Sequence, residues 1–442
     1  MVRRSLAAVI GIVLLASGAH AQTTDHLHNT VGPRVYPGEP LSLRGAVDEA
    51  LRRNLTLTAL QRQRETLLHR PAQERSLMPP SLEAQIWQWP ITTANPLNTD
   101  MYMFMIQQEL PGRGKRALRA AVAETEAAIA AAEIPARARE VAADVERAYA
   151  DLALARRSID IHVESVALLR QFADVSAVKY AAGRSSQQDV LKAIVELSRL
   201  HEDLVIHEEA AAVAAARLNT LLDRPPDALI GPVDQPRQDV SLPASRDLQQ
   251  MAIDNHPALT VALLEVQRAE AERAVVERDA KPDFFVGGGY MLMPREAGAW
   301  TASAGMTWPN APWSRRRVAA RQAEAQAQVA AERARLEELE RALRLAVHEA
   351  YLRVQSADER VSLFRTTVLP QSVQALEISR VAYQTERVGF MEVLDSQRAL
   401  LETQLSYHRA LADRELAVAE LFRSVGRDLS LARTDSLLER QP

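Results

Sequence analysis

One stretch of this chain is written twice. YAAGRSSQQDVLKA (residues 180–193) returns as YQTERVGFMEVLDS (residues 383–396), so that Tyr180 falls on Tyr383, Asp189 on Glu392, Val190 on Val393 and Leu191 on Leu394. The match extends in both directions at nearly the same offset. Ala50 falls on Ala252, Leu57 on Leu259, Pro79 on Pro282, and VERAY (145–149) on VHEAY (347–351). Chance similarity between Ala-rich helices gives scattered offsets. A constant offset predicts a true duplication, in which one supersecondary unit is repeated and packed against its copy.

Each half reads in the same order: a helix, two short strands, and a very long helical hairpin. Residues 136–224 contain no Pro and one Gly, Gly183, and are dominated by Ala, Glu, Arg, Leu and Gln, which are strong helix formers. Apolar residues recur at three and four, as in Val145, Tyr149, Leu152, Ile159 and Val163. At 1.5 Å per residue, 136–182 reaches roughly 70 Å, and a run from Gly114 approaches about 100 Å, with Pro135 as a kink or break. The second half repeats this over 315–387, with Pro370 as its irregular point. Such lengths predict coiled-coil packing. The duplicated stretches fall where the long helices turn back, and Gly183 and Gly389 are expected to supply the reversals.

The strands carry the second constraint. WTASAGMTW (300–308) alternates, with Trp300, Ala302, Ala304, Met306 and Trp308 on one face and small polar residues on the other. An apolar face of this length, bounded by Trp, fits a transmembrane β-strand that turns this face to lipid. DFFVGGGYMLM (283–293) places Phe284, Val286, Tyr290 and Leu292 together; 82–91 and 101–110 alternate more weakly. A soluble four-stranded sheet packed on the helices is the other reading of these strands. Four strands cannot close a barrel, and an open edge in lipid is not viable. Membrane-spanning strands therefore require several chains to share one barrel, and a trimer gives twelve strands.

The start of the chain, MVRRSLAAVIGIVLLASGAHA, has a basic end, a short apolar run and a small-x-small site, which predicts a secretory signal peptide over 1–21. Its apolar run is too short for a spanning helix. Its removal takes Arg3 and Arg4 and moves the net charge from −4 to −6, so nothing basic points to nucleic acid. The chain has no Cys, which excludes disulfides, thiolate metal sites, a Cys nucleophile and a lipid-anchoring Cys. Five prolines between 223 and 245 mark a linker between the repeats, which are read as 22–222 and 246–425.

Signal peptide, duplication, two strands per unit and long hairpins tipped by Y..G.....DVL together resemble the TolC-like outer-membrane efflux proteins, over nearly all of the mature chain. The resemblance implies a mainly α fold with a small β part: a homotrimer forming a 12-stranded outer-membrane barrel continued by a 12-helix periplasmic tunnel. It implies a passive exit duct in the outer membrane, docked through a periplasmic adaptor on an inner-membrane pump of the resistance-nodulation-division type. Hairpin tips are expected near 181–187 and 384–390, and an equatorial belt from the 223–245 linker and the tail 426–442. By direct match to the family, Glu392 and Asp395 line the periplasmic aperture and set cation selectivity, with Asp189 as the first-repeat counterpart; the other reading makes them solvated helix residues. Gly183, Arg184, Arg387 and Gly389 at the tips are read as closing or adaptor-contacting residues, or for the arginines as solvated loop positions. Glu386 stands where the first tip has Gly183, which puts the shape of the second turn in question.

QQELPGRGKRALR (107–119) and NHPAL with KPDFFVGGGYM (255–291) look most like the branch that serves heavy-metal pumps; drugs or other small molecules are the alternative cargo. His26 and His28, and the run Met101, Met103, Met105, invite a soft-metal reading. A His pair in a tail and Met at membrane depth are more simply a tail and packing, so no metal site and no cofactor is assigned. No enzyme is expected: GRGKR lacks the first Gly and the Ser or Thr of a phosphate loop, and HEAYL lacks the second His of a zinc-protease helix. The rival from another class is a soluble periplasmic coiled-coil scaffold or adaptor, which gives no reason for Trp-bounded alternating strands.

Overall fold

The computed structural model describes residues 36–87, 91–92, 95, 99–234, 242–294 and 296–426. The expected signal peptide, His26 and His28, residues 88–90 of the first expected strand, part of the linker (235–241) and the tail from 427 lie outside the described residues.

The first half runs α1 (Leu43–Arg53), α2 (Leu55–Leu68), α3 (Arg70–Arg75), β1 (Ser81–Trp87), β2 (Met101–Leu110), α4 (Lys115–Ala181) and α5 (Gln187–Leu221). The second runs α6 (Ser245–Asn255), α7 (Pro257–Asp279), β3 (Asp283–Leu292), β4 (Ala299–Thr307), α8 (Arg315–Leu363), a π-helical turn (Phe364–Val368), α9 (Leu369–Gln384) and α10 (Phe390–Val425). Helix α4 has 67 residues, about 100 Å of rise, and Pro135 lies inside it rather than ending it. In the second repeat the matching run is interrupted by the π turn, with Pro370 at the start of α9. No described helix is long and apolar enough to cross a membrane.

The duplication is written into the core. Ala46, Ala50, Val145, Ala148, Leu152, Leu218 and Leu222 form one buried cluster of α1, α4 and α5. Leu248, Ala252, Val347, Ala350, Val354, Leu421 and Val425 form its counterpart from α6, α8 and α10, and every pair keeps an offset of 202 or 203. A third cluster, with Leu169, Phe172, Leu200, Tyr383, Phe390 and Leu394, joins the two hairpins near their tips. Burial of each Leu in such a cluster contributes about 1.5–3 kcal/mol relative to exposure. Side chains also fix the start of the linker: Arg156 donates to the carbonyls of Ile230 (2.7 Å) and Gly231 (2.5 Å), and Tyr149 Oη donates to Leu41 O at 2.7 Å and accepts from Asp234 N at 2.6 Å. Burial pushes the Tyr149 phenol up to about 12.

The four strands form one antiparallel sheet in the order β1-β2-β3-β4, so the two repeats meet at β2 and β3. Rows across the sheet follow from the register: Leu82–Ile106–Gly288–Ala302 and Ala84–Phe104–Tyr290–Trp300 lie on one face, Gln85–Met103–Met291–Ala299 and Glu83–Met105–Gly289–Thr301 on the other. β1 and β4 each carry an edge that no other described strand covers.

Candidate functional site: the sheet face and the hairpin tips

The first sheet face is apolar and open. Leu82 is 81% exposed, Trp300 83%, and Phe104, Ile106, Phe284, Val286, Leu292 and Met306 are also exposed. Within β4, exposure alternates so that Trp300, Ala302, Ala304 and Met306 face outward while Thr301, Ser303 and Gly305 are more covered. Trp308 lies one residue beyond the strand and packs edge-on against Trp313, with ring centroids 6.2 Å apart. Trp313, itself 83% exposed, was missed by strand periodicity because it sits in the turn after β4; a second Trp five residues on was the available signal.

Where the sheet meets the helices, Lys115 at the start of α4 is only 1% exposed. Its ammonium donates to Asp283 Oδ2 at 2.8 Å and to the Lys281 carbonyl at 2.7 Å, while Gly112 N donates to Asp283 Oδ1 at 2.7 Å. This knot ties the strand-to-helix junction of the first repeat to the start of β3 in the second.

At the far end, the tips close by the same hydrogen bonds. Gly183 N donates to Tyr180 O at 2.9 Å and Arg184 N to Lys179 O at 2.8 Å; Glu386 N donates to Tyr383 O at 3.2 Å and Arg387 N to Ala382 O at 2.8 Å. Gly183 has φ +70° and Glu386 φ +62°, so the second tip keeps the turn with a side chain in the left-handed region. The expectation that Gly389 supplies this reversal is corrected: Gly389 has φ −79° and ψ 166°, extended backbone at the N-cap of α10, and Glu386 makes the turn instead.

Asp189 sits three residues past Ser186 and completes a capping box: Asp189 N donates to Ser186 Oγ at 3.2 Å, and its carboxylate accepts from Ser185 Oγ at 2.9 Å and Ser186 N at 3.4 Å. Glu392 holds the matching place in α10, but Gly389 has no side chain to reciprocate. Among the described residues the exposed Glu392 carboxylate makes no ion pair or side-chain hydrogen bond. Asp395, 67% exposed, lies one turn on, with its nearest cation Arg398 at 3.7 Å. Arg184 and Arg387 are exposed, and neither side chain forms an ion pair among the described residues.

Behind this surface, Arg398 makes a two-pronged pair with Glu196 of α5, Nε to Oε1 at 2.7 Å and Nη2 to Oε2. Arg398 holds the Glu196 carboxyl below the usual carboxylate range against the opposing effect of burial, and its own pKa is raised in return. Further along the bundle, the rings of His162 and His207 pack at a tilt of 46° with centroids 4.4 Å apart, and His408 Nε2 accepts from Arg157 Nε at 3.3 Å. Burial, then the Arg157 charge, pushes His408 down to about 4. Among the described residues no three His, Asp or Glu side chains are placed to hold a metal ion.

Residues 248–427 match the pattern of the family described as outer membrane efflux protein. The cobalt-zinc-cadmium resistance protein CzcC of Cupriavidus metallidurans is 24% identical over 403 residues, covering 89% of this chain and 92% of that protein. The outer-membrane channel OprN has the same fold at a TM-score of 0.74 and 19% identity, over 87% of this chain and 90% of its own. CusC, described in terms of transmembrane channel formation, matches at 0.71 and 17% identity, over 87% and 92%. The family pattern covers the second repeat, the first repeat carries the same elements in the same order, and the solved channels share this fold over most of the chain: residues 248–427 match the outer membrane efflux protein family, and the whole chain is similar in fold to outer-membrane channels.

Proposed function

We propose that three copies of this chain close into a twelve-stranded outer-membrane barrel continued by a tunnel of helices, the passive exit duct of a tripartite efflux system. The observation that carries this reading is the sheet. It offers an apolar face to lipid across all four strands, yet leaves unpaired edges at β1 and β4 among the described strands. In hydrocarbon those backbone groups need partners, and β4 of one copy meeting β1 of the next supplies them. A periplasmic adaptor and an inner-membrane pump are the implied partners, and the similarity to the cobalt-zinc-cadmium resistance protein CzcC favours divalent metal cations over organic molecules as cargo.

Within that assembly the second tip sets the cation preference of the periplasmic mouth. Glu392 and Asp395 are exposed and, apart from the contact of Asp395 with Arg398, unclaimed by neighbours; Asp189 serves the cap of α5, and Lys192 stands where the second repeat has Asp395. Three copies bring six carboxylates to one constriction, where low-dielectric walls weaken screening and favour cations. Arg184 and Arg387, exposed at the two tips, are the candidates for contact with a neighbouring tip or the adaptor. In planar bilayers, Glu392→Gln with Asp395→Asn is expected to reduce cation selectivity and weaken block by multivalent cations, and Asp189→Asn to do less. Unchanged selectivity and block in the double variant would remove these carboxylates from the aperture.

A further inference from the structure

The second sheet face, which the barrel reading turns toward the lumen, should be polar. It is polar at Ser81, Glu83, Gln85, Gln107, Thr301 and Ser303, but the β2 and β3 positions toward the β3–β4 turn, Met101, Met103, Met105 and Met291, are not. Met101, Met103 and Met105 alternate with the outward Tyr102, Phe104 and Ile106, so all three thioethers lie on this face. Packing against lipid therefore does not account for them. Met291 of β3 stands directly across from Met103. Met105 stands across from Gly289, two residues before Met291, and its Cγ lies 3.0 Å from where a Cβ of Gly289 would be. Its side chain thus leans over the gap that this glycine leaves, toward the strand of Met291.

Neighbouring strands are about 4.8 Å apart, and methionine has three rotatable side-chain bonds, so the sulfurs of Met103, Met105 and Met291 can converge on one point. The β4 residues beside them, Ala299 and Thr301, are small. Across β2 from Met105 is Glu83, whose carboxylate accepts from Gln85 Nε2 at 2.5 Å. Neutral, polarisable thioethers suit soft monovalent d10 cations, whereas Zn²⁺ and Co²⁺ are held by anionic thiolate, imidazole or carboxylate ligands rather than by neutral thioethers alone. We propose that Met103, Met105 and Met291 form a thioether site on the lumenal wall that binds copper(I) or silver(I), with Glu83 balancing the charge. The site rests on the exit-duct reading for its place in the lumen, but not for its chemistry.

The test uses silver(I), in nitrate buffer, on the purified full-length protein in detergent. Calorimetry is expected to show silver binding that weakens roughly tenfold or more in Met103→Leu/Met105→Leu/Met291→Leu, with no change in zinc binding. Leucine is close to methionine in volume, and recovery of the assembled oligomer checks the fold. Silver X-ray absorption on the unaltered protein gives a reading that needs no variant: sulfur neighbours support the site, and a shell of nitrogen and oxygen alone overturns it. Equal silver binding by wild type and triple variant also overturns it. If the protein conducts in bilayers but the variant binds silver normally, the site fails and the exit duct stands; if silver binding follows the thioethers but no conductance is found, the duct reading fails and the site stands.

Discussion

Placing an arginine on either face of β4 separates the barrel from a soluble sheet. The strand has nine residues. At about 3.4 Å per residue it is roughly 30 Å long, and a tilt near 40° leaves about 23 Å of depth, close to the roughly 25 Å apolar band of such barrels. Ser303 is the middle residue, so Ala304 lies within about 3 Å of the midplane, outward and across from Val286. Ala304→Arg should cost about 2–4 kcal/mol per chain there, and roughly 6–12 kcal/mol for three independent copies in one trimer. Ser303→Arg points the other way, over Gly287, and should cost little. The assay is the fraction of chain recovered in the outer membrane as assembled oligomer. A sharp loss for Ala304→Arg and near-normal recovery for Ser303→Arg is the expected result; equal recovery of the two would refute the assignment of faces.

Three further outcomes follow from the helices and the junction. Asp283→Ala leaves the Lys115 ammonium buried with one carbonyl and a distant Asp279, and should lower thermal stability by about 3–5 kcal/mol; Lys115→Met strands a carboxylate that reaches water and should cost less, about 1–3 kcal/mol. Glu386→Gly relieves a side chain held at φ +62° and should raise stability by about 0.5–1 kcal/mol in melting of the helical signal. His408 takes its proton near 6.5 when unfolded but near 4 when folded, so the unfolded chain binds more protons in that window and stability falls as pH drops from 6.5 to 4. His408→Gln should flatten that part of the melting-temperature profile, while the loss of the Glu196–Arg398 pair, whose carboxyl is held low, appears only below about 4.5.

Periodicity and duplication carried much of the fold because they are local signals repeated many times. The 202–203 offset links Val145 to Val347 and Leu218 to Leu421, and both members of each pair are buried in equivalent clusters. What the sequence hid depends on contacts far apart in the chain. Lys115 and Asp283 are 168 positions apart, and Glu196 and Arg398 are 202 apart; neither pair has a local signature. Glu386 adopts the left-handed turn because the hairpin demands it there, so glycine spacing pointed instead to Gly389, which only caps a helix. The methionine run was legible as a stripe, but its face became meaningful only with the register that sets Met291 across from Met103.

The central claim is that one chain supplies a third of a closed barrel. The mass of the complex extracted from the outer membrane in detergent tests it directly, with the detergent contribution subtracted. Three chains per particle is the predicted result, since the four described strands, with edges at β1 and β4 that no other described strand covers, need neighbours on both sides. A stable particle of one chain, inserted in the membrane, would contradict the account.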